Sequence, residues 1–311
     1  MKLQLIIIMI FVFTSCSNSE EEKVVIDNFP QDINEAQIEI VSSLSGNQPI
    51  QPKGIELNAR ATLKERKLSR AYLIELLKKL SLKPIEQNYR QKNVNSFVDI
   101  LIGPFKGTNI YGVLPASKST NQYIILGAHY DTARDCPGAN DNASAIALLY
   151  GVTKRLSEIS TREANVLIVF FDQEEEELIG SKAFARYIQK QKLEILSAHT
   201  FDQIGWDKDE DRAIELELPT IELEEIYKEQ GIKLGIPVHT TRVNSTDHQS
   251  FRDMGINAVG ITEEYVNKDT SPFKDTPNDK FNTINFEYVE STTNLIYEVI
   301  KTLVSKNNEN E

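Results

Sequence analysis

The chain of 311 residues contains only two cysteines, Cys16 and Cys136, so no disulfide framework can hold it together. It is short of positive charge: 34 Lys and Arg stand against 46 Asp and Glu, a formal charge of -12. A surface this acidic repels phosphate backbones and argues against sequence-independent nucleic-acid binding. With 14 Gly and 11 Pro it has too little of either for a collagen-like or low-complexity chain. The apolar run at residues 5–13 is nine residues long, whereas a membrane-spanning helix takes about 20. What is present, 40% hydrophobic and 26% charged residues, is enough for one large packed domain or two small ones.

That short run has the character of a secretory signal. Lys2 precedes it, and Thr14-Ser15-Cys16 follows. A cysteine directly after small residues resembles a bacterial lipoprotein signal, with Cys16 as the lipidated N-terminus, although Phe13 stands where such signals usually carry Leu. An ordinary signal peptide cut nearby is the alternative. Residues 1–15 are therefore expected to be a signal peptide and 16–54 a lipid-anchored flexible tether. The tether is punctuated by Pro30, Pro49, Pro52 and Gly54, with a weak helical pattern at 33–44. Residues 307–311 read as a tail. The expected location is the cell envelope, as an exported lipoprotein of the outer membrane held through Cys16. The acidic segment Ser17–Glu22 (SNSEEE) resembles tails that direct some lipoproteins to the outer surface, and it reads equally well as a solvated tether. A lipidated Cys16 leaves Cys136 as the only free thiol.

Residues 55–306 have the rhythm of one catalytic-size domain. Apolar residues at helical spacing mark a helix over 59–80, and strands are expected at 96–102 and 109–114. From there apolar strands (123–128, 164–171, 197–201, 238–243, 258–262) alternate with helices (143–156, 181–191, 223–234, 248–254, 286–304). Continuous apolar strands between helices imply a sheet covered on both faces. The fold class is therefore α/β: a three-layer α/β/α arrangement with a mixed, centrally parallel sheet.

In open α/β sheets ligands gather at the carboxyl ends of the strands, and here those ends carry metal-ligating residue types. His129 and Asp131 follow the first apolar strand, Asp172, Glu174 and Glu175 the second, and Asp202 the third, while Asp141 precedes the helix at 143. Singly each has a bland reading: a surface histidine, a solvated run of glutamates from Glu174 to Glu177, a helix-capping Asp141, an idle Asp202. Together they need a cation, because one imidazole cannot neutralise several carboxylates. Zn²⁺ accepts nitrogen and oxygen ligands, and a pair of ions needs a bridging carboxylate, for which an Asp at a helix N-terminus is suited.

The segments GAHYDTARDCPGANDNASA (127–145), FDQEEEELIGS (171–181), FDQIG (201–205), TDHQSF (246–251) and DTPNDKFNTIN (275–285) resemble, in order, those of the zinc-dependent exopeptidases of the M28-like family. That family includes bacterial leucyl aminopeptidases and glutaminyl cyclases. The resemblance implies two Zn²⁺ ions: His129 and Asp202 on one, Glu175 on the second, Asp141 bridging. Glu174 would be the general base and Asp131 the carboxylate that fixes the tautomer of His129. Asp275 stands where the family has its last histidine ligand. As a ligand it would make the second site weaker or less zinc-selective, and otherwise that site has decayed, with His239 and His248 the substitutes to consider. The implied activity is hydrolysis of N-terminal residues from peptides with a free N-terminus. Glutaminyl cyclisation is the alternative, since cyclases share the Asp247 segment, and a non-catalytic envelope binding protein is the third reading. Trp206, beside Asp202, is a candidate for the pocket wall or for the core.

Overall fold

The computed structural model describes residues 29–50, 54–92 and 104–305, together with Val24 and Ile26. Among these, eight strands form one sheet: β1 (Ile85–Gln91), β2 (Phe105–Leu114), β3 (Gln122–His129), β4 (Asn165–Phe171), β5 (Glu194–Phe201), β6 (Ile214–Glu217), β7 (Val238–Thr241) and β8 (Ala258–Thr262). The helices are α1 (Ile33–Leu44), α2 (Leu63–Lys79), α3 (Ala145–Ser157), α4 (Ile179–Gln191), α5 (Ile221–Leu234), α6 (His248–Arg252) and α7 (Phe286–Val304), with a kinked turn over Ala139–Ser144 and a short 3₁₀ turn over Phe281–Thr283.

The strand order is β1-β2-β4-β3-β5-β8-β6-β7. The four central strands β4, β3, β5 and β8 are parallel. On one side β1 and β2 run antiparallel, and on the other β6 is antiparallel to β8. The apolar runs explain this centre. In β4 every residue is buried, because its side chains alternate between two cores. Val166, Ile168 and Phe170 join Ile124, Leu126 and Ala128 of β3 against α1, α2, α3, α5 and α7. Leu167, Val169 and Phe171 join Ile125 against α4 and α6. The result is the expected three-layer α/β/α domain.

The tether expectation for 16–54 is corrected by α1. Ala36, Ile40, Val41 and Leu44 are fully buried, and the helix packs on α3. Gln37 donates from Nε2 to the Ala147 carbonyl (3.2 Å) and to Thr293 Oγ1 (2.8 Å), which ties α1 to two helices. Asp32 caps it by accepting the Glu35 N–H. The domain therefore begins before residue 55, because Ile40, Val41 and Leu44 are worth about 1.5–3 kcal/mol each when fully buried.

Two strands escaped the sequence pattern. β1 alternates polar residues at a sheet edge, and β6 (IELE) is short and buries two glutamates, Glu215 and Glu217. Helix α2 starts later than expected, at the capping box formed by Thr62 and Glu65. The signal peptide expected at 1–15, Cys16 with the acidic segment after it, the strand expected at 96–102 and the tail expected at 307–311 lie outside the described residues. Among the described residues no helix is long and apolar enough to cross a membrane.

Candidate metal centre

Parallel strands β3, β4 and β5 end at one rim, so the residues that follow them meet. His129 closes β3 and Asp202 follows β5. His129 Nε2 lies 3.2 Å from Asp141 Oδ1 and 3.4 Å from Asp202 Oδ1. All three atoms are buried and none has a hydrogen-bond partner. Three unpartnered donor atoms facing one another are the signature of an ion site, since buried polar atoms are otherwise paired. The spacing also fits: ligands about 2.0–2.1 Å from a tetrahedral Zn²⁺ stand about 3.3–3.4 Å apart.

Two further groups share members with the first. Asp141, Glu175 and Asp275 each offer an oxygen within 4.8 Å of the others, and a ring nitrogen of His129 lies equally close to oxygens of Glu174 and Glu175. Asp141 belongs to both the His129–Asp202 group and the Glu175–Asp275 group, the position a bridging ligand needs. Every residue singled out as a metal ligand, together with Glu174, is thus brought into one contiguous cluster. His239 and His248 are not: His239 Nε2 meets Glu264 Oε1 at 2.8 Å, and the buried His248 faces Glu217 and Thr246. Trp206 donates from its indole nitrogen to Asp269 (2.9 Å) and packs edge-on against Phe273.

Local devices hold the ligands, and two differ from expectation. The Nδ1 of His129 is closest to the backbone carbonyl of Asp131 (3.2 Å) and lies 3.6 Å from its carboxylate. A proton on Nδ1 donates to that carbonyl and leaves the Nε2 lone pair toward Asp141 and Asp202. The Asp131 carboxylate instead accepts the backbone N–H groups of Glu174 (3.0 Å) and Glu175 (3.3 Å), so it places the β4 loop. Asp141 caps no helix: it lies inside the turn at 139–144, with φ -108° and ψ 86°, and Ser144 holds the position before α3. It is fixed by Asp279, whose two carboxylate oxygens accept the N–H groups of Asn140 (2.8 Å) and Asp141 (2.9 Å). Asn142 links the same turn to the β5 end through the Phe201 carbonyl and the Gln203 N–H.

Glycine is required at one point of this frame. A Cβ on Gly180, in the first turn of α4, would lie 1.9 Å from the carbonyl oxygen of Asp172. The loop carrying Glu174 and Glu175 therefore rests directly on the helix backbone.

The electrostatics agree with a cation-binding role. Burial raises the Glu174 carboxyl well above its usual range, helped by Asp247, Asp202 and Asp141. Burial and the neighbouring Asp141 push Glu175 up to about 8. Burial drives Asp247 up to about 7, with Asp202 and Asp131 contributing. For His129 burial acts downward, but Glu174, Asp131, Asp141 and Asp202 outweigh it and raise the imidazole well above its usual value. Crowded carboxyls hold protons when nothing else compensates them, and a dication removes that need. Lys274, next to Asp275, is drawn into the same field: burial lowers its pKa, yet Asp202 and Asp141 raise it overall.

Sequence reasoning assigned no role to Asp279 or Lys274, and treated Asp247 only as part of a shared segment. Asp247 and Asp279 lie within the segments that carried the family resemblance, and Lys274 directly precedes one of them. No pattern of spacing revealed that Asp279 clamps a turn 138 positions away.

Among solved structures, the fold is similar to that of a zinc aminopeptidase from Bacillus subtilis, with a TM-score of 0.76 and 14% identity, covering 90% of this chain and 97% of that one. It is also similar to glutaminyl cyclase from Bacteroides thetaiotaomicron, with a TM-score of 0.69 and 19% identity, covering 90% and 100%. At these identities the likeness shows the fold alone. In sequence the chain is 25% identical over 208 residues to Aminopeptidase YwaD of Bacillus subtilis, covering 62% of this chain and 45% of that protein. It is 25% identical over 131 residues to a probable zinc metalloprotease of Pyrenophora teres f. teres, covering 38% and 28%. The chain spans less than half the length of these curated relatives. The model of peptidase family M28 matches residues 109–300, a span that contains His129, Asp131, Asp141, Glu174, Glu175, Asp202 and Asp275. With more than half of its length matched, and with the fold of zinc aminopeptidases, the chain belongs to peptidase family M28.

Proposed function

We propose that this chain is a metal-dependent aminopeptidase that removes N-terminal residues from peptides. The observation that carries the reading is the sharing of Asp141 between the His129–Asp202 group and the Glu175–Asp275 group, with Glu174 beside both. In this reading His129 and Asp202 hold one zinc ion, Glu175 and Asp275 a second, and Asp141 lies between them. Asp275 supplies oxygen where the family usually has histidine, an anionic donor that makes the second site more tolerant of harder ions such as Mn²⁺. Bound zinc supplies Lewis acidity, which polarises a carbonyl and acidifies water.

The protein groups perform the proton chemistry and the positioning. Glu174 accepts a proton from the attacking water and returns it to the leaving amine, a role that its raised proton affinity suits. Asp131 holds Glu174 and Glu175 through their N–H groups, which fixes the base relative to the ligands. The anionic rim attracts the free α-ammonium of a peptide, in keeping with a chain of formal charge -12.

The test is release of amino acid from aminoacyl anilides by zinc-loaded protein, with and without chelator. Chelator-sensitive release is expected, and Glu174→Gln is expected to lose about 10²–10⁴-fold in kcat while keeping its zinc. Cyclisation of an N-terminal glutaminyl peptide without anilide hydrolysis would make the protein a glutaminyl cyclase, a reading favoured by the buried, unpartnered Asp247 Oδ1 close to Glu174. Zinc binding with neither reaction would leave a binding protein. Export and anchoring through Cys16 form a separate proposal, supported by the apolar run and the Thr-Ser-Cys sequence. Incorporation of labelled palmitate that persists in Cys16→Ser would refute it.

A further inference from the structure

A second acidic constellation lies outside the M28 centre. Between β5 and β6 the chain reads Asp207-Lys208-Asp209-Glu210-Asp211, three aspartates at alternate positions. Asp209 and Asp211 each place a carboxylate oxygen within 4.8 Å of one from Glu264, and Asp207 and Asp209 do the same with Asp269. Asp209 is common to both groups. Among the described residues, none of these five carboxylates forms an ion pair with Lys or Arg. Arg212, at the end of the loop, turns to the Gly235 carbonyl instead.

Glu264 distinguishes this cluster from an ordinary solvated acidic loop. Its side chain is only 3% exposed. One oxygen, Oε1, accepts from His239 Nε2 and from the Asn267 amide, whereas Oε2 is buried with no partner at all. A buried carboxylate oxygen costs free energy unless something answers it, and the Glu264 carboxylate already lies within 4.8 Å of those of Asp209 and Asp211. Burial, with the nearby Asp211, also raises the Glu264 pKa.

We propose that Asp209, Asp211 and Glu264, with Asp207 and Asp269 beside them, form a binding site for a hard divalent cation, for which Ca²⁺ is the fitting ion. The donors are all oxygen, which suits Ca²⁺ rather than Zn²⁺. Two oxygens each about 2.3–2.6 Å from one Ca²⁺ stand at most about 5.2 Å apart, and the oxygens of Asp209, Asp211 and Glu264, all within 4.8 Å of one another, fall inside that span. The site has a structural consequence. Asp207–Asp211 follow the β5 end that bears Asp202, and Glu264–Asp269 precede Asp275. These two segments are already joined where Asp269 accepts the Trp206 indole N–H and the N–H groups of Lys208 (2.7 Å) and Asp209 (3.0 Å). A cation here fastens together the two chain segments that supply one ligand to each half of the zinc cluster.

The single tryptophan of the chain makes the site directly observable. Trp206 touches Asp269, so Tb³⁺ in the Ca²⁺ position would be sensitised by indole excitation. Full-length protein with its zinc sites filled is titrated with Tb³⁺ and then with Ca²⁺. Saturable emission that Ca²⁺ displaces is expected, together with a rise in Tm of about 5 °C at saturating Ca²⁺. Both are expected to vanish in D209N/D211N, whose substitutions lie on an exposed loop, and to weaken at least tenfold in affinity in E264Q, with zinc content unchanged in each. Equal emission and an equal Tm shift in D209N/D211N would overturn the proposal, as would the absence of both in the wild-type chain.

Discussion

Replacing Gly180 with alanine separates the placement of the Glu174 loop from the stability of the fold. The added Cβ would stand 1.9 Å from the Asp172 carbonyl oxygen and 2.8 Å from the Asp172 nitrogen, whereas ordinary contact begins at 3.4 Å. The loop backbone must therefore retreat by about 1.5 Å, the difference between 3.4 Å and 1.9 Å. It cannot yield cheaply. The Asn109 side chain accepts the Asp172 N–H (2.9 Å) and donates to the Gly180 carbonyl (2.8 Å), which pins both partners. Overpacking of this kind costs about 1–3 kcal/mol, a modest part of the about 5–15 kcal/mol typical of a folded protein. Glu174 lies two residues from the displaced carbonyl, and a misplacement of about 1 Å in a catalytic group costs about 10²-fold in rate. The expected result is a protein that folds, with a slightly lower urea midpoint, and whose kcat/KM on an aminoacyl anilide has fallen about 100-fold. Gly255→Ala is the control: its φ is +76° but no atom lies within 4 Å. It should cost about 1–2 kcal/mol for the left-handed backbone and leave turnover alone. If Gly180→Ala kept an undiminished kcat/KM while losing as much stability as the control, the loop would not be positioned by this contact and the argument would fail.

Removing Asp275 tests the second metal position: Asp275→Ala should lower zinc from about two ions per chain to about one, while Asp275→His keeps both, read by elemental analysis. Unchanged stoichiometry in the alanine variant would show that Asp275 closes no site. Ile40→Ala, at a fully buried position of α1, should cost about 2–5 kcal/mol in urea unfolding. No change there would return residues 33–44 to a tether. His199 is fully buried between Tyr227 and Ser197, and burial depresses its pKa from 6.5 to about 3. The unfolded chain therefore binds the extra proton, so this contribution is intact above about pH 6.5 and is lost as pH falls toward 3. The slope is at most about 1.4 kcal/mol per pH unit. A His199→Gln variant with the same slope of stability against pH would contradict this assignment.

The sequence alone determined the centre of the sheet and the rim on which chemistry is placed. Residues 165–171 are apolar almost without a break, so β4 had to be covered on both faces, and strands alternating with helices had to run parallel there. Parallel strands end on the same side, which already put His129, Glu174, Glu175 and Asp202 along one edge. The sequence pattern did not reveal α1, β1 and β6 as parts of the domain, because a short or half-polar segment is committed by what packs against it. Nor could spacing show that the Asp131 carboxylate serves the glutamate loop, that Asp279 grips the turn of Asp141, or that Asp275 comes within reach of Asp141 and Glu175. The facing of Glu264 toward Asp209 and Asp211 was equally hidden. Each of these is a distance between residues far apart in the chain, and only the packing of helices and loops over the sheet edge brings such residues to bonding range.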